Sequence, residues 1–111
     1  MIDLHTHSTA SDGTYDPAAL VDLAADRKLY ALALTDHDTL GGIPAARAEA
    51  QRRGIRFIPG VEIEVAFSPG EFHLLGLDLR DTEGAIREAV GRLARSRDER
   101  NERIFERMRA A

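Results

Sequence analysis

Polar and apolar residues alternate at the start of the chain. Ile2 and Leu4 oppose Asp3, His5 and His7, and this period of two predicts a strand over Met1–Ser8. Thr9–Thr14, with Asp12-Gly13 inside it, reads as a loop. Asp16-Pro17 opens a helix, with the aspartate as N-cap and the proline at the first helical position; Leu20, Leu23 and Ala24 give it one apolar face. Leu29–Thr35 is a short apolar run, the pattern of a buried strand. Ile43–Arg53 predicts an alanine-rich helix closed by Gly54. Ile55–Ile58 and Val61–Phe67 predict two strands broken apart by Pro59-Gly60. Ser68-Pro69-Gly70 predicts a turn and Phe72–Leu79 a further strand. From Asp81 to Ala111, Ile86, Val90, Leu93, Ile104 and Met108 recur at helical spacing, so one long helix is expected. Its middle, Arg95–Arg103, is almost wholly polar.

Strand, helix, strand, helix, strand is the α/β order. Right-handed crossovers set the first three strands side by side in one parallel sheet. The 111 residues fit one domain, 1–111, with its motifs in a core over 3–76 and a long helix at about 82–110. Four or five strands cannot close a barrel, so a sheet with bare edges is expected.

Composition removes several function classes. A chain 43% hydrophobic and 31% charged is not wholesale disordered. Without cysteine there are no disulfides, thiolate zinc sites or thiol catalysis. No apolar run approaches the ~18–20 residues that span a bilayer. The opening Met-Ile-Asp-Leu-His lacks the basic and apolar regions of a secretory signal, so the cytoplasm is the expected compartment. A net charge of −4, no tryptophan and 5% aromatics argue against stable duplex nucleic-acid binding and against a base-stacking surface. Residues 1–80 carry 12 acidic and 7 basic side chains, whereas 81–111 carry 7 and 8; the acidic first part suits cations. The 14 arginines against one lysine, Lys28, read as base-composition bias.

The histidines are the informative residues. His5 and His7 lie two apart on a strand, on one face, with Cα atoms roughly 6.5–7 Å apart, close enough to share a metal ion. Thr35-Asp36-His37-Asp38 ends the second strand, Glu62 follows Pro59-Gly60-Val61, and His73 sits in the fourth strand. C-terminal strand ends of a parallel sheet converge on one rim, which Asp12 also reaches from the loop after strand 1. Imidazole and carboxylate without thiolate suit Zn²⁺, Mn²⁺ or Fe²⁺. A carboxylate such as Glu62 can bridge two ions, and such pairs stabilise an attacking hydroxide and phosphoryl charge. Phosphate-ester hydrolysis is therefore the expected reaction class.

The segments Asp3-Leu-His-Thr-His-Ser8, Ser11-Asp-Gly13, Thr35-Asp-His-Asp38, Gly60-Val-Glu-Ile63 and His73 with Gly76 resemble the polymerase-and-histidinol-phosphatase (PHP) metal-dependent phosphoesterases, essentially end to end. The nearest likeness is to the branch that dephosphorylates 3′,5′-nucleotide bisphosphates or trims RNA 5′ ends; Arg97–Arg103 resembles the helix that follows His73 there. The resemblance implies a fold, the N-terminal part of a distorted (β/α)7 barrel, here incomplete. It also implies two or three divalent ions: His5 and His7 on the first, Glu62 bridging first and second, His73 on the second, Asp12 and His37 on a third. The family's later histidine and Asp-x-His motifs have no counterpart, and the chain stops in mid-pattern at Arg109-Ala110-Ala111. A fragment, or a partner copy completing the sheet, is the expectation that follows. No self-complementary apolar patch points to such a copy.

Asp36 is the candidate catalytic residue, moving a proton or orienting an imidazole. Asp38 either shares that work or caps the following turn, and Glu64 is a candidate supporting group. Ser8 and Ser11 could bond a phosphate but fit local turns better. Arg97, Arg100 and Asn101 read first as part of a solvated helix face with pairs such as Glu99–Arg103, and second as a phosphate clamp. Two other functions compete. An amidohydrolase needs a carbamylated lysine, for which only Lys28 is available. A catalytically inactive metal-binding remnant, or an accessory module, is the main alternative.

Overall fold

The structure is a computed structural model describing residues 1–67 and 70–110, and the side chains of these except 65–67, 71 and 110. The elements run β1 (Ile2–Thr6), α1 (Pro17–Asp26), β2 (Ala31–Leu34), α2 (Ile43–Arg53), β3 (Arg56–Phe67), β4 (Gly70–Leu77) and α3 (Ala85–Ala110). The turn expected at Ser68-Pro69 lies outside the described residues. One sheet has the order β1-β2-β3-β4, with β1, β2 and β3 parallel and β4 antiparallel to β3. The parallel trio is the expected one.

The helix ends follow local chemistry. Asp16 Oδ1 accepts from the Ala19 amide at 2.7 Å and starts α1. Gly54, at φ 71°, ends α2 in the left-handed region that glycine adopts without steric cost. Between them β2 is buried at every residue, as the apolar run requires. Val21 and Ala24 of α1, Ile43, Ala46 and Ala50 of α2, and Leu32 and Leu34 of β2 form one core, joined by Val61 and by Val90 of α3.

One expectation is corrected. Pro59-Gly60 does not break the strand. β3 runs through it and changes partner there: Arg56–Pro59 pairs with β2, and Gly60–Phe67 pairs with β4. Gly60 lets the backbones close up, since a Cβ there would sit 2.7 Å from the Gly76 carbonyl and 2.9 Å from Thr35 Cγ2. The apolar stripe of α3 is not a buried face in this chain. Val90 is buried, but Leu93, Ile104, Phe105 and Met108 are exposed. β1 is an edge strand, and Ile2 and Leu4 are exposed on it as well.

Candidate metal centre

β1 delivers His5 and, just past its end, His7. β2 ends at Leu34, yet the chain stays in register with β3 for three more residues. The Glu62 amide donates to the Asp36 carbonyl and the Asp38 amide to the Glu62 carbonyl, both at 3.0 Å, forming an isolated parallel bridge between His37 and Glu62. His73 arrives differently. β4 runs back along β3 and pairs His73 with Glu64, one step along the face from Glu62. Convergence at C-terminal strand ends therefore accounts for three elements, and antiparallel register accounts for the fourth.

Glu62 is the centre of the cluster. It is 4% exposed, and each of its oxygens faces two imidazoles. Oε1 contacts His5 Nε2 and lies 3.9 Å from His7 Nε2. Oε2 lies 2.9 Å from His37 Nδ1 and 3.3 Å from His73 Nδ1. Asp12 repeats the arrangement from the loop, with Oδ1 3.6 Å from His7 Nδ1 and Oδ2 3.2 Å from His37 Nε2. The His7 and His37 rings stack at 4.4 Å. The six side chains fall into three overlapping groups whose ligand atoms lie within 4.8 Å of one another: His5–His7–Glu62, His7–Asp12–His37 and His37–Glu62–His73.

The donor set fits divalent cations. A buried carboxylate ringed by imidazoles is costly unless positive charge or hydrogen bonds compensate it. Among the described residues His7 Nδ1 is buried without a hydrogen-bond partner, and it faces Asp12 just beyond hydrogen-bond range. When unprotonated, that ring nitrogen turns its lone pair to the space between them, as a metal ligand would. All contacts to the ions would come from nitrogen and oxygen, the set that suits zinc, manganese or iron.

The neighbouring acids have other partners. Asp36 is 1% exposed and its carboxylate does not reach an imidazole. Oδ1 accepts from the Ser8 amide at 2.6 Å and the Ser11 hydroxyl at 2.9 Å, and Oδ2 from the Ser8 hydroxyl at 2.7 Å. The partners of the Asp36 carboxylate in this structure are thus in the loop after β1. Ser8 and Ser11, expected to make local turns, do so and bind Asp36 as well. Asp38, at φ 51°, accepts from Arg97 at 2.5 Å and from the Glu64 amide at 3.4 Å. It holds a side chain of α3 and an amide of β3. Arg97 also reaches Glu64 at 3.4 Å, and Arg100 lies 3.9 Å from Glu64. The solvated-face expectation therefore fails for Arg97, because its ion pairs are to Asp38, in the turn after β2, and Glu64 of β3, 59 and 33 positions away. Sequence spacing alone carries no trace of such pairs.

A cavity of about 660 Å³ opens beside the cluster, lined by Asp12, His37, His73, Asp38, Glu64 and Arg97 among others. Lys28 lies before the N-terminal end of β2, exposed and away from this rim, so it bridges nothing here.

A four-stranded α/β sheet with a histidine–carboxylate cluster on its rim gives the chain the donor set of a metal-binding α/β domain. The family is specific: the PHP domain profile matches residues 3–107, and the chain belongs to the PHP domain family. It is 41% identical over 111 residues to a 5′-3′ exoribonuclease Rnm of Salmonella typhimurium, covering 98% of this chain and 38% of that protein. It is 45% identical over 101 residues to a 3′,5′-nucleoside bisphosphate phosphatase of Chromobacterium violaceum, covering 86% and 35%. Two solved structures share the fold. One, described as an amidohydrolase from Chromobacterium violaceum with bound sulfate and no metal, superposes with TM-score 0.84 at 40% identity, covering 98% of this chain and 38% of that one. The other, a candidate metal-dependent phosphoesterase from Bifidobacterium adolescentis, gives 0.82 at 28% identity over the same shares. The chain thus spans less than two fifths of the length of these relatives and corresponds to part of the PHP barrel.

Proposed function

We propose that this chain is the N-terminal portion of a PHP phosphoesterase that hydrolyses phosphate esters of nucleotides, a 3′,5′-nucleotide bisphosphate or an RNA 5′ end. The observation that carries the reading is Glu62, with one oxygen turned to His5 and His7 and the other to His37 and His73. In this reading two or three Mn²⁺, Zn²⁺ or Fe²⁺ ions are held by His5 and His7, by Glu62 with His73, and by Asp12 with His37. Bound there, such ions neutralise phosphoryl charge and make water nucleophilic near neutral pH. Arg97 stands across the cavity, and its guanidinium is the group that matches a phosphate in a bidentate way. Asp38 and Glu64 hold it there, so its geometry is set before a substrate arrives. The names of the two relatives support a nucleotide as the ligand, and the sulfate in a similar solved structure is in keeping with an anion.

A metal-binding module without turnover of its own is the competing reading. Metal content per chain, measured with Glu62→Ala alongside, is the first test. Two or three ions lost in the variant support the centre; equal substoichiometric metal in both sinks it. Phosphate release from a 3′,5′-bisphosphate with added Mn²⁺ then separates enzyme from module.

A further inference from the structure

We infer that Asp36 is a positioning residue that fixes Asp12 against His7 and His37 by clasping the loop that carries it. The inference rests on the metal-centre reading given above. Asp12 itself is poorly held: its side chain is 65% exposed, and its ion-pair contacts are to His7 and His37. Its place must come from the backbone of residues 8–13. That backbone is wound around Ser8, which is fully buried. The Ser8 carbonyl accepts from the Ser11 and Gly13 amides at 3.0 and 2.8 Å, and the Ser8 hydroxyl accepts from the Ala10 amide at 3.2 Å. Gly13 lies so close beneath that a Cβ there would sit 2.2 Å from the His7 carbonyl oxygen.

Beyond these bonds and that of the Thr9 amide to the Tyr15 carbonyl, the loop is tied to the end of β2 by one carboxylate. Asp36 receives the Ser8 amide, the Ser8 hydroxyl and the Ser11 hydroxyl, three donors from the loop. Hydrogen bonds to a carboxylate are the stronger kind, and this one is shielded from water. The main chain of Asp36 meanwhile holds Glu62 through the Glu62 amide. One residue therefore sets the two carboxylates of the cluster, Glu62 through its carbonyl and Asp12 through its side chain. A side-chain substitution separates the two, because it leaves the carbonyl in place.

The test uses the full chain as wild type, Asp36→Asn, Ser11→Ala and Asp12→Ala. Amide hydrogen exchange is read without metal, and binding is read by titration with Mn²⁺ alone. In Asp36→Asn the Ser11 and Gly13 amides exchange at least about tenfold faster, while those of Val21 and Leu34 keep their wild-type rates. Mn²⁺ at the Asp12 group weakens about tenfold or more, approaching Asp12→Ala, and the ion held by His5, His7 and Glu62 stays. Unchanged loop exchange, or a rise spread equally over Val21 and Leu34, overturns the inference. If Asp36→Asn does not fold, Ser11→Ala decides: it removes one donor at the half-exposed end of the clasp. Faster loop exchange in it supports the clasp, and wild-type exchange overturns it. A wild type that takes up no Mn²⁺ defeats the metal centre, and the exchange measurement still decides the clasp.

Discussion

At the residue scale, function concentrates on Glu62. Its carboxylate is buried among four imidazoles, so its charge is tolerable only with compensation from cations or protons. Glu62→Gln keeps the shape and removes the charge. The expected outcome is Mn²⁺ affinity lowered at least about tenfold, with the folded structure retained by circular dichroism; wild-type affinity would refute the central role. The residue types were legible in the sequence. His5, His7, Asp12, His37, Glu62 and His73 were expected to converge, and the fold brings all six together. Their second partners were not legible. Nothing in the spacing of Asp36, Ser8 and Ser11 reveals a bond across 25 to 28 positions, and Asp38 gripping Arg97 spans 59.

At the element scale, the parallel strands and two helices form a core that the apolar runs already outlined. Leu34 is 1% exposed at the end of β2 and packs between the sheet and its helices. Leu34→Ala is expected to cost about 2–5 kcal/mol in denaturant unfolding, the range for a large buried aliphatic. On the outer face, α1 and α2 are joined by arginines. Arg53 donates to Asp22 at 3.0 Å and Asp26 at 2.6 Å, and Arg52 donates to Glu49. The hydrogen bonds from Arg52, and then from Asp22, hold the Glu49 carboxyl down to about 2. A carboxyl depressed in the fold stabilises above its unfolded value and loses that contribution as pH falls through its folded one. Asp22, pushed up chiefly by its hydrogen bond with Glu49, works in the opposite sense and offsets part of it. Between pH 4.5, the ordinary value for Glu49, and about 2, the melting temperature of the wild type should fall more steeply than that of Glu49→Gln. Parallel slopes would refute the contact. The strand break expected at Pro59-Gly60 shows the limit of local signals. A glycine that ends a strand in isolation is, in the sheet, the one residue thin enough to pass between Thr35 and Gly76.

At the scale of the whole molecule, α3 is attached by few anchors. Val90 enters the core, and Arg97 and Arg100 reach the sheet rim. The rest of the helix carries Ile104, Phe105 and Met108 into solvent, and the molecule is 53 Å long. Phe105→Ser is therefore expected to change the stability of this chain by no more than about 0.5 kcal/mol, measured by thermal unfolding. A larger loss would mean that the helix end is covered in solution. Arg97→Ala should raise KM for a nucleotide phosphate about tenfold or more in a PHP protein carrying this segment, with a smaller change in kcat; an unchanged KM sinks the phosphate contact. No helix among the described residues is long and apolar enough to cross a membrane. The sequence by itself determined the α/β order, the parallel trio and the six ligand candidates. Periodicity and strand-end placement are local properties of the chain, and they suffice for those. Only the tertiary structure decided that β4 runs antiparallel, that β3 continues through Pro59-Gly60, and that the Asp36 carboxylate bonds Ser8 and Ser11. Each of these depends on which distant backbone or side chain satisfies a polar group, and a buried polar group takes its partner from the folded neighbourhood, whatever the separation along the chain.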